Sequence, residues 1–398
     1  MTTEHKELVK ATIPVLRENG VLLTKHFYQR MFTHNPELKH VFNMGNQQND
    51  RQQTALAMAV LAYAEHIDDP SVLFPVVNHI GHKHTSLDIR ADHYAIVGKH
   101  LIASIQEVLA DAATPQLLEA WTVAYRELAS LMSGHEQTLY NKQTNKTGGW
   151  SGWRPFIVKQ KVKESEEITS FYLYPSDGGS VADFTPGQYI SLRLFLPELN
   201  LLQPRQYSIS CAPNGQYYRI SVKREAGTQH PDGLISNRLH DHIKEGDIVE
   251  LTAPAGVFTL QTQPKTKIFI SGGVGQTPLL AMLESLLTTN TSTAIKWIHG
   301  CRNKEVHAFK NRLEELERNH QNLSQHIFYD VVENTSEQLY QGWVDLAMLK
   351  DDIILDNAEY YICGPGAFIN KHYTYLIENK IDKANIHFEE FGPASLTL

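Results

Sequence analysis

The hydrophobic period changes twice along these 398 residues, and no single layer of structure satisfies all three patterns. Through residues 1–140, apolar side chains recur three and four apart in ELVKATIPVLREN, LLTKHFYQRMF, TALAMAVLAYAEHI, YAIVGKHLIASIQEVLA and LLEAWTVAYRELASLM. That is the spacing of amphipathic helices. Breakers separate them at Gly20, HNP 34–36, DDP 68–70 and TP 114–115. The polar, glycine-rich stretch NKQTNKTGGWSGW then reads as a linker over 141–152. In 153–262 the period falls to two. YYRISVKRE and QYISLRLFL alternate, carry β-branched and aromatic residues, and are punctuated by SDGG, TPGQ and PNGQ. An antiparallel sheet or small β-barrel is expected there. In 263–398, KIFISGGVGQTPLLAMLESLL reads as strand, glycine turn and helix, and AIKWIHG, HIFYDVV and AEYYICGPG are buried-strand candidates. That alternation implies an α/β domain with a parallel sheet. The chain is therefore expected to be multidomain: all-α, then antiparallel β, then α/β.

Composition narrows the partners. The net charge of -8 argues against a nucleic-acid binder, which needs a basic face to neutralise phosphates. No apolar run has membrane-spanning length, and MTTEHKELVK lacks the apolar core of a signal peptide. Three cysteines at 211, 301 and 363 are too few and scattered for a disulfide framework. A cytoplasmic monomer with no obligatory membrane or protein partner is expected.

Residues 79–101 hold five histidines: His79, His82, His84, His93 and His100. On a helical wheel for 73–87, Leu73, Val77, Ile80 and Leu87 form one face. His84 falls within it, His79 lies to one side and His82 nearly opposite. Zinc wants three or four converging ligands, and this helix offers one. A single inward histidine is either a core residue bonded to a carbonyl or an axial haem ligand, which needs one protein nitrogen in an apolar setting. Periodicity leaves both open.

The glycine turn SGGVGQTP, Ser271 to Pro278, follows a strand and precedes a helix, so its backbone can approach phosphates closely. It is not the G-x-G-x-x-G fingerprint, and taken singly it is weak. GLISNRL, 233–239, offers Gly233 and a helix starting near Ser236, whose free amides suit an anion.

Taken together, HFYQRMFTHNPELKHVFNM, Gln52, Leu56 and KHTS resemble a globin, RQYS resembles the flavin signature of ferredoxin-reductase-type proteins, and G-x-G-x-T-P with CGP matches their nicotinamide site. Nearly the whole chain resembles flavohaemoglobin, the bacterial and fungal nitric oxide dioxygenase. The resemblance implies a globin domain over 1–140, an FAD-binding β-barrel over 153–262 and a ferredoxin-reductase-like NAD(P)H-binding domain over 263–398. It makes His84 the proximal haem ligand, with the other four histidines solvent-facing or local hydrogen-bonders. Tyr28, Gln52 and Leu56 become distal residues, Phe42 a haem-packing aromatic, and Tyr94 with Glu136 the pair behind His84. Such a pair makes the ligand more electron-rich.

For FAD the resemblance implies Tyr189, Arg205, Gln206, Tyr207, Ser208, Gly233, Ser236, Glu390, Phe391, Gly392 and Pro393. Arginine suits a phosphate through its bidentate fork. Glu390 departs from the cysteine of the family pattern. The role of the loop 226–232 is not legible. For NAD(P)H it implies Ser271, Gly272, Gly273, Val274, Gly275, Gln276, Thr277, Cys363, Gly364 and Pro365, with Cys363 beside the hydride path. Lys83 and Glu389 match positions that tune electron transfer. The implied activity runs from NAD(P)H through FAD to haem b, where NO and O2 become nitrate, in NO detoxification. A general NAD(P)H-dependent reductase and a gas sensor are the alternatives. Arg302 and Lys304 either meet a 2'-phosphate or are solvated.

Overall fold

The computed structural model describes residues 1–398 except 48–49, 228–231, 290–291, 332–338 and 392–398. Gly392, Pro393 and the middle of the 226–232 loop therefore lie outside the described residues. By compactness the chain divides into two units: Met1–Trp153 with Ser191–Arg205, and Arg154–Ile190 with Gln206–Leu398.

The first unit holds α1 (Thr3–Ala11), α2 (Ile13–His34), α3 (Met44–Gln47), α4 (Arg51–Glu65), α5 (Phe74–Thr85), α6 (Ala91–Leu109) and α7 (Pro115–Thr144). Proline in the first turn opens α2, α5 and α7, where its missing N–H has no partner to lose. The Thr114 hydroxyl caps α7 by accepting from Leu117 N at 3.2 Å. Two expectations shift. Gly20 does not separate helices; it lies inside α2, and the break falls at Thr12, whose hydroxyl donates to the Val9 carbonyl at 2.6 Å. A lone glycine costs a helix only about 1 kcal/mol, and this one faces Ala57 of α4. The helix α7 also runs through Thr144, into the stretch expected to be linker. Buried Leu139 and Tyr140 hold that last part down, with the Tyr140 hydroxyl donating to the Ile89 carbonyl at 2.7 Å. Phe27, Met31, Val60, Leu101, Ile105 and Trp121 form the core of the bundle.

The following strands are β1 (Arg154–Lys163), β2 (Ile168–Pro175), β3 (Tyr189–Leu196), β4 (Leu201–Ser208), β5 (Tyr218–Lys223) and, after α8 (Leu234–Asp241), β6 (Ile248–Leu251). They make one six-stranded sheet in the order β4-β3-β6-β1-β2-β5, with β1 antiparallel to both β2 and β6, and β2 to β5. Within the first unit, the Gln203 amide on β4 donates to the Lys39 carbonyl at 2.8 Å and accepts from Met44 N at 3.0 Å. This fixes the chain on both sides of Phe42.

The remaining elements are β7 (Thr266–Gly272), α9 (Gln276–Thr288), β8 (Ile295–Cys301), α10 (Lys310–Asn319), β9 (Leu323–Tyr329), β10 (Leu339–Gln341), α11 (Lys350–Ile353), β11 (Ala358–Gly364), α12 (Gly366–Glu378) and β12 (Ile386–Glu390). Their sheet is parallel throughout, in the order β10-β9-β8-β7-β11-β12. Apolar clusters built on Phe269, Trp297 and Tyr361, and on Ile270, Phe328 and Ile362, cover its two faces. Burial on both faces explains why these strands read as apolar runs.

Candidate functional site

His84 ends α5, Tyr94 begins α6 and Glu136 lies in α7. A Cβ on Gly81 would stand 2.8 Å from the His135 ring of α7, so glycine is what lets α5 approach there. Glu136 is fully enclosed, and its Oε1 lies 2.7 Å from His84 Nδ1. The Tyr94 hydroxyl donates to the same oxygen at 2.5 Å and lies 3.1 Å from His84 Nδ1. Burial and the Glu136 charge push the Tyr94 pKa far up, so the phenol keeps its proton and stays a donor. With Nδ1 held by the Glu136 carboxylate, Nε2 is the ring nitrogen left to bind a ligand. That donor chemistry fits an iron ligand.

The other four histidines differ from one another. His79 is exposed and His82 half-buried. His93 accepts from Arg90 N at 3.1 Å. His100 is a correction, being neither solvent-facing nor local. It is buried, with Nδ1 2.8 Å from Arg30 and Nε2 2.9 Å from Asn35, both far along the chain.

Tyr28 on α2 is buried among Phe27, Phe32 and Phe42, and Leu56 packs on the same core. Burial pushes the Tyr28 phenol up, opposed by a hydrogen bond from the Gln52 side chain. Gln47, which sequence reading missed, orients Gln52. Gln53 Nε2 donates to Gln47 Oε1 at 2.9 Å, and Gln47 Nε2 donates to Gln52 Oε1 at 2.8 Å. Gln52 is thereby left to donate to the Tyr28 oxygen, and the phenolic O–H is free to point elsewhere. The signal was the glutamine-rich run 47–53, whose contacts depend on α3 folding back on α4.

In β4, Arg205 and Tyr207 are half-buried, Gln206 is exposed and Ser208 is buried. Tyr189 exchanges backbone bonds of 2.9 Å with Ala255. Helix α8 begins at Leu234, two residues before the expected start near Ser236, because Gly233 is its N-cap. Gly233 makes no side-chain cap bond, which leaves first-turn amides for an anion. Ser236 instead holds this turn, donating to the Gly233 carbonyl at 3.1 Å.

The turn Gly273–Gly275 connects β7 to α9. A Cβ on Gly275 would stand 2.2 Å from the Cys363 carbonyl, so the two halves of the expected nicotinamide site touch backbone to backbone. Gly272 and Gly364 both abut the Phe368 ring. Val274 accepts from the Thr277 hydroxyl at 3.0 Å, and Pro365 is the N-cap of α12. Gln276 is buried with Oε1 unpartnered among the described residues, an acceptor that suits a ligand's N–H or hydroxyl. Cys363 is a buried free thiol whose pKa burial raises. In register it faces Glu389, whose carboxyl is pushed up to about 8 by burial. Glu390 Oε1 lies 2.7 Å from where a Cβ on Gly366 would sit, and Phe391 is exposed. Lys83 is half-buried, and desolvation pushes its ammonium down. Arg302 is not simply solvated: it pairs with Glu167, while Lys304 is exposed.

Residues 25–132 match the Globin family, and residues 269–373 match the Oxidoreductase NAD-binding domain family. A flavohemoprotein of Bordetella parapertussis is 50% identical over 399 residues, covering 98% of each chain. The chain belongs to the flavohemoprotein family. Among solved structures, the flavohemoglobin of Malassezia yamatoensis, with bound FAD and heme, is 27% identical and covers 98% of this chain and 99% of its own, with a TM-score of 0.86. The FAD/NAD-binding domain of a nitric oxide dioxygenase from Vibrio cholerae is 38% identical over 60% of this chain and 99% of its own, with a TM-score of 0.56. As in other flavohemoproteins, one chain joins globin helices, an antiparallel sheet and a parallel NAD-binding sheet. Among the described residues, no helix is long and apolar enough to cross a membrane.

Proposed function

We propose that this chain is an NAD(P)H-dependent nitric oxide dioxygenase that turns NO and O2 into nitrate, a cytoplasmic defence against nitrosative stress. The observation that carries the reading is the His84–Tyr94–Glu136 cluster, present in one chain with an NAD-binding turn. When bound, NAD(P)H and FAD supply electrons that become single steps, and haem b supplies the iron at which the gases react. His84 Nε2 would hold the iron, with Glu136 and Tyr94 keeping its imidazole oriented and electron-rich. Gln52 holds the Tyr28 oxygen, which leaves the phenolic O–H to donate to an oxygen ligand that a haem would bind. Leu56 and Phe42 keep that side apolar.

Arg205 would hold FAD through a phosphate, with Tyr189, Gln206, Tyr207 and Ser208 along the strands and the Gly233 turn with Ser236 as its further contacts. Glu390, which ends β12, and Phe391 after it would be further FAD contacts. The coenzyme would lie on Ser271 to Thr277 and Cys363 to Pro365. Lys83 and Glu389 tune electron transfer, each from its own desolvated position. O2 and NO are the small-molecule partners.

The test compares NADH consumption with and without NO in air, with nitrate assayed. NO-dependent acceleration with nitrate formation supports the reading. NADH consumption indifferent to NO, with no nitrate, leaves a general reductase.

A further inference from the structure

Ser271 is the penultimate residue of β7, and its register partner on β8 is His299. His299 is 0% exposed, with Nδ1 2.8 Å from Ser271 Oγ. The serine has one hydroxyl proton, and Oγ donates it to the Ile298 carbonyl at 3.3 Å. With its proton given to Ile298, Oγ accepts from Nδ1, which then carries the imidazole proton and leaves Nε2 bare. That Nε2 is buried without a partner among the described residues.

His307 repeats the arrangement. It is 4% exposed, its ring stacks on His299 with centroids 5.0 Å apart at 29°, and its Nδ1 lies 2.8 Å from the Tyr329 hydroxyl on β9. Its Nε2 is likewise buried and unpartnered among the described residues. Two such nitrogens are a burden in a core, because an unpaired buried polar atom forfeits its hydration without a replacement bond. Leucine or phenylalanine would fill the space without it. What the imidazoles add is the fixed bond to Ser271, in the strand that leads into the glycine turn. The turn has no slack, since Gly275 rests on the Cys363 carbonyl.

We propose that His299, braced by the stacked His307, is a positioning residue for the pyridine nucleotide: its Nδ1–H fixes Ser271 and thereby the glycine turn that receives the coenzyme. This rests on reading that turn as the NAD(P)H site. The column Ser271, His299, His307, Tyr329 ties the end of β7 to the end of β9 through side chains with no room to move. Burial keeps both imidazoles neutral, and the His307 pKa is pushed down to about 3, so the column does not change charge near neutral pH.

The experiment uses isosteric replacements in the full FAD-loaded chain. His299→Asn places an amide nitrogen where Nδ1 stood, His299→Gln places it where Nε2 stood, and His299→Phe keeps the volume and removes both. The readouts are the Kd of NAD+ by calorimetry and the KM and kcat for NADH with ferricyanide as acceptor, which does not need the haem. Losing one hydrogen bond of about 1.4 kcal/mol corresponds to about tenfold. His299→Phe and His299→Gln are expected to raise Kd and KM about tenfold, with kcat and FAD content within about threefold. His299→Asn is expected to restore Kd. A wild-type Kd in His299→Phe overturns the proposal, as does an Asn variant as weak as Phe. If these variants do not fold, 15N spectra of the wild-type chain decide: a protonated Nδ1 on His299 supports it and a protonated Nε2 overturns it. A wild-type chain that does not bind NAD+ refutes the coenzyme reading itself, and the proposal with it.

Discussion

Replacing Glu136 with glutamine keeps the shape behind His84 and removes only the charge. Glu136 Oε1 accepts two short bonds, 2.7 Å from His84 Nδ1 and 2.5 Å from the Tyr94 hydroxyl. A hydrogen bond to a charged group is worth about 1 kcal/mol more than a neutral one, so two amount to about 2 kcal/mol, or about 30-fold. That agrees with the roughly 10–100-fold effect of removing the partner behind a metal-bound histidine. A less electron-rich imidazole also favours the reduced haem, so the midpoint potential should rise, on the order of 50 mV. The assay is NO consumption with NADH at fixed O2, beside a redox titration of the Soret band. Glu136→Leu is the harsher control, because it removes the oxygen that both groups share and leaves the Tyr94 hydroxyl and His84 Nδ1 only each other, 3.1 Å apart. Turnover within twofold of wild type and an unmoved potential in Glu136→Gln would refute the argument that this carboxylate acts through the ligand.

Three further outcomes follow from geometry. Gly275→Ala sets a methyl 2.2 Å from the Cys363 carbonyl, and backbone must move at a cost of about 1–3 kcal/mol; NADH KM should rise while haem content stays level, and an unchanged KM counts against the contact. Lys267→Met strands the buried Glu359 carboxylate and two carbonyls, of Gln261 and Gln263, that the ammonium now serves; about 3–5 kcal/mol should disappear from calorimetric unfolding, and a loss under 1 kcal/mol would contradict it. His372 is buried with neither nitrogen paired among the described residues, and its pKa is pushed down to about 4 by burial. The unfolded chain then binds the proton more readily, so this contribution is full above pH 6.5 and falls by about 1.4 kcal/mol per pH unit toward pH 4; urea unfolding of His372→Phe should show a shallower acid slope than wild type, and parallel slopes would exclude the effect.

Local spacing determined a good deal. Periods of 3.6 and 2 depend only on where neighbouring side chains point, so the helical block, the alternating strands and the apolar parallel strands were legible before any contact was known. The same geometry placed His84 on the inner face of its helix and His82 off it. Motif spacing located the turns at Ser271 and Cys363. Gly20 misled because one glycine weakens a helix by about as much as one good packing contact strengthens it, and Ala57 is 37 residues further along the chain. Only the tertiary structure could bring Glu136 to His84 across 52 residues, by packing α7 against α5 at Gly81. Only it could link Gln47 to Gln52, seat Lys267 on Glu359, and stack His307 on His299 beneath Ser271. Sequence sets which face a side chain is on; which partner it meets there depends on how whole elements dock, and in a close-packed interior a shift of an ångström decides whether a polar group is paired.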